Sequence, residues 1–111
     1  MVITALGPFL RGLREKRGVA QWKVGAAAGM DSTLLSKIEL GDRLPTQEQA
    51  ALLARFFGVP APEVEARRIA AKFWQEHAEN PAVGEAVQQI QETAPAYVVN
   101  KSVNRRGKGP R

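Results

Sequence analysis

The sequence predicts an all-α protein, and three observations support this. Apolar residues recur three and four positions apart in five or six separate segments, which is the spacing of one helix face. Glycine or proline stands between consecutive segments, where helices end. Serine, threonine, aspartate or asparagine precedes most of them, as expected of N-caps. The 111 residues suffice for one small domain with an appendage.

The first two helices are predicted from apolar spacing that ends at glycine. Helix one is expected over residues 4–17, with Thr4 as its N-cap and Gly18 at its end. Its apolar positions are Leu6, Phe9, Leu10 and Leu13. A short helix two follows over residues 21–27. Gly29 occupies the break after it, where a left-handed backbone is needed.

Helices three and four are bounded by residues typical of helix ends. Helix three is expected to run to Glu39, and helix four is the segment TQEQAALLARFF. The residues that open them are Asp31 or Ser32 for helix three, and Pro45 with Thr46 for helix four. The residues that stop them are Gly41 and Gly58.

Two more helices and a tail are predicted beyond the hinge VPAP. Pro62 fits the first position of helix five, EVEARRIAAKFWQEH. Asn80 and Pro81 fit the N-cap and first position of helix six, which Pro95 should end. Residues 97–99 could be extended, and the basic, glycine-rich remainder is expected to be mobile.

These elements divide the chain into three predicted parts. Residues 1–59 form the first domain, residues 60–95 a helical extension, and residues 96–111 a basic flexible tail. The 16 basic and 11 acidic residues leave a net charge of +5. Residues 1–58 carry +3 and residues 59–100 carry −3, so the net charge resides in the tail. Both ends therefore favour a polyanionic partner.

Composition argues against several classes of protein. With no cysteine and His77 as the single histidine, no Cys/His or Ser/His/Asp set can be assembled, and a thiolate metal site is excluded. We therefore expect no enzymatic activity, no metal and no cofactor. No apolar run approaches the roughly 20 residues of a membrane span, and no secretory signal is apparent. A cytoplasmic, nucleoid-associated protein is the expectation.

Residues 18–45 have the layout of a helix-turn-helix, with two short helices around a turn at Gly29. The small residues Gly25 and Ala26 would let the helices approach closely. Leu35 and Ile38 should point inward. The residues left on the outward face can all form hydrogen bonds, as reading of a DNA groove requires: Ser32, Thr33, Ser36 and Lys37.

At these residues the chain resembles the Cro/C1-type (XRE-family) helix-turn-helix regulators, over about residues 5–59. The resemblance rests on LRGLREKRG, on Gln21 with the following VGA, on GMDSTLLSKIELG, on LPT and on LLARFFGV. So many matches at the right separations are more specific than one short motif. The resemblance implies a lambda-repressor-like bundle of five short helices, followed here by a C-terminal helix and the basic tail.

The resemblance also implies roles for individual residues. Base contacts would come from Ser32, Thr33 and Lys37, with Ser36 as a further candidate. Phosphate contacts would come from Gln21 and Arg43, and Lys23 is a further candidate for the DNA backbone. Arg14 and Glu39 would form a partly buried structural ion pair. The sequence departs from the family at Ala20, which lacks a capping oxygen, at Trp22 and at Leu40.

The implied function is a transcriptional regulator, and a repressor is favoured, that binds double-stranded DNA as a homodimer. The surplus apolar residues of helices five and six would form the dimer or partner surface: Ile69, Phe73, Trp74, Val83, Val87 and Ile90. Two alternatives stay open. One is an antitoxin whose C-terminal region clasps a toxin and whose DNA domain autoregulates its operon. The other is a protein-interaction adaptor or coactivator with the same fold.

Overall fold

The regular structure of residues 4–108, the part of the chain that the computed structural model describes, is entirely α-helical. Side chains are described through residue 96. The helices are α1 (Leu6–Arg17), α2 (Gln21–Ala27), α3 (Ser32–Leu40), α4 (Gln47–Phe57), α5 (Ala61–His77) and α6 (Val83–Lys108). The all-α prediction is confirmed. None of these helices has the length and apolar character needed to cross a bilayer.

Glycines in the left-handed conformation end three of the first four helices, as predicted. Gly18, Gly41 and Gly58 have φ values of 65°, 87° and 68°. Each donates its N–H to a carbonyl of the last helical turn, which satisfies part of an otherwise open helix end. A side chain at such a φ is strained, so glycine is the residue these chain reversals require.

The starts of the helices differ in how they are capped. Thr46 and Gln49 form a reciprocal capping box at α4, an arrangement that contributes about 1 kcal/mol. The prediction of Thr4 as the cap of α1 is wrong. Ala5 occupies that position without a side-chain acceptor, and the Thr4 carbonyl instead accepts a hydrogen bond from Arg67.

A single cluster of buried apolar side chains holds the first helices together. α3 packs against both α1 and α2, and α2 packs against α4. The cluster consists of Leu6, Leu10, Val24, Ala28, Met30, Leu35, Ile38, Ala50, Leu53, Ala54, Phe57 and Val64. Val64 brings the start of α5 into this core. Arg67, one turn later, lies over the Phe9 ring, with 3.8 Å between its guanidinium carbon and the ring centroid.

The chain forms two compact units that divide between Glu76 and His77. The predicted domain boundary at residue 59 stays a prediction, although the first unit extends past it because Val64 is buried in its core. α6 carries no buried residue among its described side chains.

Three predictions about the C-terminal helices are wrong. α5 begins at Ala61, so Pro62 is its second residue. It lies in the first helical turn, whose N–H groups have no partner within the helix, so proline loses no hydrogen bond there. α6 begins at Val83, two residues after the predicted first position, although the Asn80 side chain accepts from the Ala82 N–H as an N-cap does.

The third wrong prediction is the end of helix six. α6 continues through Pro95 to Lys108, so residues 97–99 are helical. The helix includes most of the predicted tail, whose flexibility stays a prediction. Proline's fixed φ suits a helix, and water can reach the carbonyl that loses its N–H partner at this exposed position. Residues 109–111 lie outside the described residues.

Candidate nucleic-acid interface

The turn between α2 and α3 is built from two glycines. Gly29 has a φ of 71°, and the Met30 N–H donates to the Gly25 carbonyl over 2.8 Å. A Cβ on Gly25 would lie 2.6 Å from the Met30 carbonyl oxygen, so only glycine permits this close approach. The expectation that Ala26 shares this role is wrong, because its side chain faces solvent.

α3 is fixed in the core by one face and capped at both ends. Leu35 and Ile38 are fully buried, as predicted. The Asp31 carboxylate accepts from the Leu34 N–H over 2.8 Å, and Gly41 ends the helix. Of the two predicted caps, Asp31 is the one used.

The opposite face of α3 carries the four predicted base-contacting side chains. Thr33 and Lys37 are exposed, and Ser32 and Ser36 are half-buried. Within the part of the chain that the structure describes, none of the four side chains has a hydrogen-bond or ion-pair partner. Their donors and acceptors are therefore available to base edges in a groove.

Arg14, Glu39 and Gln21 form a hydrogen-bonded cluster that joins α1, α2 and α3. Arg14 Nε donates to Glu39 Oε2 over 2.7 Å, and its Nη2 donates to Glu39 Oε1 over 3.1 Å. The hydrogen bond from Arg14 to Glu39 raises the pKa of the arginine, and partial burial opposes that rise. Two parallel bonds of this kind fix geometry as well as charge.

Gln21 is attached to this cluster through one of its amide hydrogens. Its Nε2 donates to Glu39 Oε1 over 3.0 Å. The second hydrogen on the same nitrogen remains free for another acceptor. The end of α3 and the start of α2 are thereby held by the same carboxylate. Gln21 is a residue for which the resemblance implies a phosphate contact.

A family model described as a helix-turn-helix domain matches residues 5–66, more than half of the chain. The chain belongs to this helix-turn-helix family. Comparisons with curated proteins and with solved structures gave no match. A helix-turn-helix domain is a DNA-binding module of regulators and is typically not an enzyme.

The exposed side chains of this helix-turn-helix domain include two cations and two large apolar residues. Lys23 and Arg43, both predicted phosphate contacts, are exposed and without a hydrogen-bond or ion-pair partner in the described residues. Trp22 and Leu40, two of the three departures from the family pattern, are also exposed. Most of the Trp22 side chain is therefore uncovered.

Sequence reasoning missed two contacts that shape the helix-turn-helix domain. Gly7 lies where a Cβ would collide with the Glu39 and Ile38 carbonyls, so α1 crosses the end of α3 at this glycine. Its place beside Leu6, on the apolar face, is a signal that could have indicated it. Arg17 donates to the Phe56 and Phe57 carbonyls at the end of α4, and no short-range pattern predicts that partner.

Proposed function

We propose that this protein is a sequence-specific transcriptional regulator, a repressor, that binds an inverted-repeat operator as a dimer through α3. The observation that carries the proposal is the division of α3 between two faces. Leu35 and Ile38 anchor it, while Thr33 and Lys37 are exposed with unused hydrogen-bonding groups. A recognition helix held this way can enter the major groove without losing its packing.

The proposed reading of bases depends most on Lys37. Its ammonium can donate to the guanine O6 and N7 acceptors, whereas the serine and threonine hydroxyls accept and donate and so discriminate weakly. Thr33, Ser32 and Ser36 would supply further contacts on the same face. Lys37 is therefore the residue whose loss should change sequence preference most.

Gln21, Lys23 and Arg43 are proposed to contact phosphates. Lys23 and Arg43 are exposed cations, and neither forms an ion pair within the described residues. Gln21 retains a free amide hydrogen while Glu39 fixes its position. Such contacts set the register of the domain on DNA and make its affinity depend on salt.

The proposed dimer would use apolar residues of α5 and α6. Ile69, Trp74 and Ile90 are exposed, and Phe73, Val83 and Val87 are half-buried. Two copies would place two recognition helices on half-sites about 34 Å apart, or a multiple of that distance. A monomeric sedimentation profile at working concentrations would remove dimerisation from the proposal.

The test is selection from a randomised duplex pool at fixed salt, with wild type, Lys37→Ala and Lys72→Ala compared. Lys72→Ala removes the same charge from an exposed position on α5, outside α3, and serves as the matched control. We expect an enriched inverted repeat that Lys37→Ala loses or broadens and Lys72→Ala retains. Binding without enrichment, falling steeply with salt, would contradict sequence-specific reading.

The exposed Ile69, Trp74 and Ile90 also favour a second candidate, an antitoxin whose C-terminal region covers these residues with a toxin. Co-expression with the product of an adjacent small reading frame distinguishes the two candidates. A stable complex that slows hydrogen exchange in α5 and α6 would support the antitoxin, and a homodimer with the same protection would support the repressor.

A further inference from the structure

A cleft of about 430 Å³ lies within the first compact unit, beside the candidate DNA-binding surface. Its walls come from the start of α1, the end of α3 with the loop that follows, and residues 71–75 of α5. The apolar side chains that matter to the argument are Leu6, Pro8, Ile38, Leu40, Leu44 and Trp74. Sites for small molecules typically have volumes of about 300–1,000 Å³, so this cleft has room for one.

The cleft combines a packed floor with uncovered apolar walls. Leu6 and Ile38 belong to the core and cannot move freely. Leu40 and Trp74, in contrast, are 67% and 47% exposed. Covering large apolar side chains on a rigid floor is favourable, and little ordering of the protein is required when the ligand enters.

The polar groups of the cleft favour an anion. Among its lining residues in the described chain, Arg43 carries the only charge. The Arg43 guanidinium has no hydrogen-bond or ion-pair partner in that part of the chain. Ala5, at the N-terminus of α1, offers no side-chain acceptor to the first helical turn, and that end of a helix is electropositive.

We propose that this cleft binds a small amphipathic carboxylate. The apolar portion would cover Leu40 and Trp74, and the carboxylate would accept hydrogen bonds from Arg43. Because Arg43 is also a proposed phosphate contact, a bound ligand would withdraw it from DNA. The ligand would thus weaken operator binding, a consequence that rests on the proposed function.

The binding test uses Trp74 as its reporter. The chain has two tryptophans, so Trp22→Phe leaves Trp74 alone. Octanoate and its uncharged counterpart 1-octanol are titrated at fixed salt and without DNA. We expect a saturable shift of Trp74 emission, with octanoate bound about fivefold more tightly than 1-octanol, as for a partly exposed ion pair.

Two variants that line the cleft, with one control outside it, locate the ligand. Arg43→Gln should abolish the preference for octanoate, whereas Arg55→Gln, an exposed arginine of α4 that does not line the cleft, should keep it. Ala71→Leu should occupy part of the cleft and weaken both ligands, with helical content checked by circular dichroism. An unsaturable response, or equal preference in Arg43→Gln, would overturn the site. Trp74 emission that depends on protein concentration and does not respond to octanoate would overturn the ligand site and leave Trp74 to the proposed dimer surface.

A final arm separates this site from the proposed function. Octanoate should weaken operator binding by wild type at the concentrations that saturate the cleft, and Ala71→Leu should resist that effect. Operator binding unchanged at saturation would overturn the competition. Saturable octanoate binding by a chain that selects no operator would leave the site standing and remove the repressor.

Discussion

Ile38 in α3 and Ile90 in α6 have the same side chain, yet Ile38 is 1% exposed and Ile90 is 52% exposed. The contrast extends to the segments around them. The buried apolar residues of the core end at Val64, and none of the described side chains beyond it is buried. The first region, through Val64, thus completes a core from its own helices. The second region, from Glu65 onward, presents apolar side chains that another surface could cover.

This contrast assigns different tasks to two kinds of helix. α3 needs α1 and α2 to hold its reading face in place, so its apolar residues stabilise the monomer. The later helices contribute little apolar burial, and large exposed apolar side chains such as Ile69 and Trp74 of α5 are typical of interaction surfaces. Substitutions of the same kind should therefore have large effects in the first region and small effects in the second.

The largest expected effect comes from Ile38→Ala. Removing three methyl or methylene carbons from this buried side chain should lower the free energy of unfolding by about 4 kcal/mol. Ile90→Ala, the matched change at an exposed site, should change it by less than about 0.5 kcal/mol. Urea unfolding of the dilute monomer, followed by circular dichroism, measures both. Equal losses would show that the second region also has a structural core.

The next effect concerns the ion pair between Arg14 and Glu39. The Glu39 side chain is only 4% exposed, so Glu39→Gln leaves the arginine charge without its bidentate partner and should cost about 3 kcal/mol. Glu15→Gln is the control, because Glu15 pairs with Arg11 in an exposed i,i+4 arrangement. That change should cost no more than about 0.5 kcal/mol. The same urea unfolding experiment measures both variants. Similar losses of unfolding free energy in Glu39→Gln and Glu15→Gln would contradict the structural role of Glu39.

A smaller effect with a change of sign is expected at glycines. Gly7→Ala should destabilise by about 2 kcal/mol, since its Cβ meets backbone carbonyls that cannot rotate away. Gly84→Ala, at a helical position of the second region with open space around it, should stabilise by about 0.5 kcal/mol through backbone entropy. Gly12→Ala provides the same open-space control within α1 itself. Thermal unfolding should therefore separate Gly7→Ala from both controls by sign.

The features predicted correctly from the sequence are those that a few adjacent residues determine. Gly18, Gly41 and Gly58 end helices because the left-handed conformation is a property of the residue itself. The turn at Gly29 is equally local. Pro95 was expected to end a helix by a similar local rule, that proline has no N–H to donate within a helix. The lost hydrogen bond lowers the stability of the helix but does not prevent it from continuing through the proline.

The contacts that sequence reasoning missed join residues far apart in the chain. Arg17 caps α4 through carbonyls 39 and 40 positions away, and nothing near Arg17 indicates them. The α1–α3 crossing at Gly7 and the cleft beside Trp74 likewise depend on how helices pack. The predicted base and phosphate contacts remain predictions, because they concern a partner rather than the fold of this chain.

The smallest expected effect is an acid-dependent one at Glu65 in the second region. Two hydrogen bonds from Arg68, 2.8 Å and 2.7 Å long, hold the pKa of the Glu65 carboxyl below its ordinary value of 4.5. A lowered folded-state pKa contributes stability at pH values above the unfolded-state pKa, and that contribution is lost as the pH falls through the folded-state pKa.

Wild type should therefore lose a small part of its unfolding free energy in acid, a loss that Glu65→Gln and Arg68→Gln should both lack. Urea unfolding at about pH 6 and about pH 3 measures this difference. An acid-dependent loss of unfolding free energy as large as the loss expected for Glu39→Gln would mean that the second region is more tightly packed than its exposed side chains indicate.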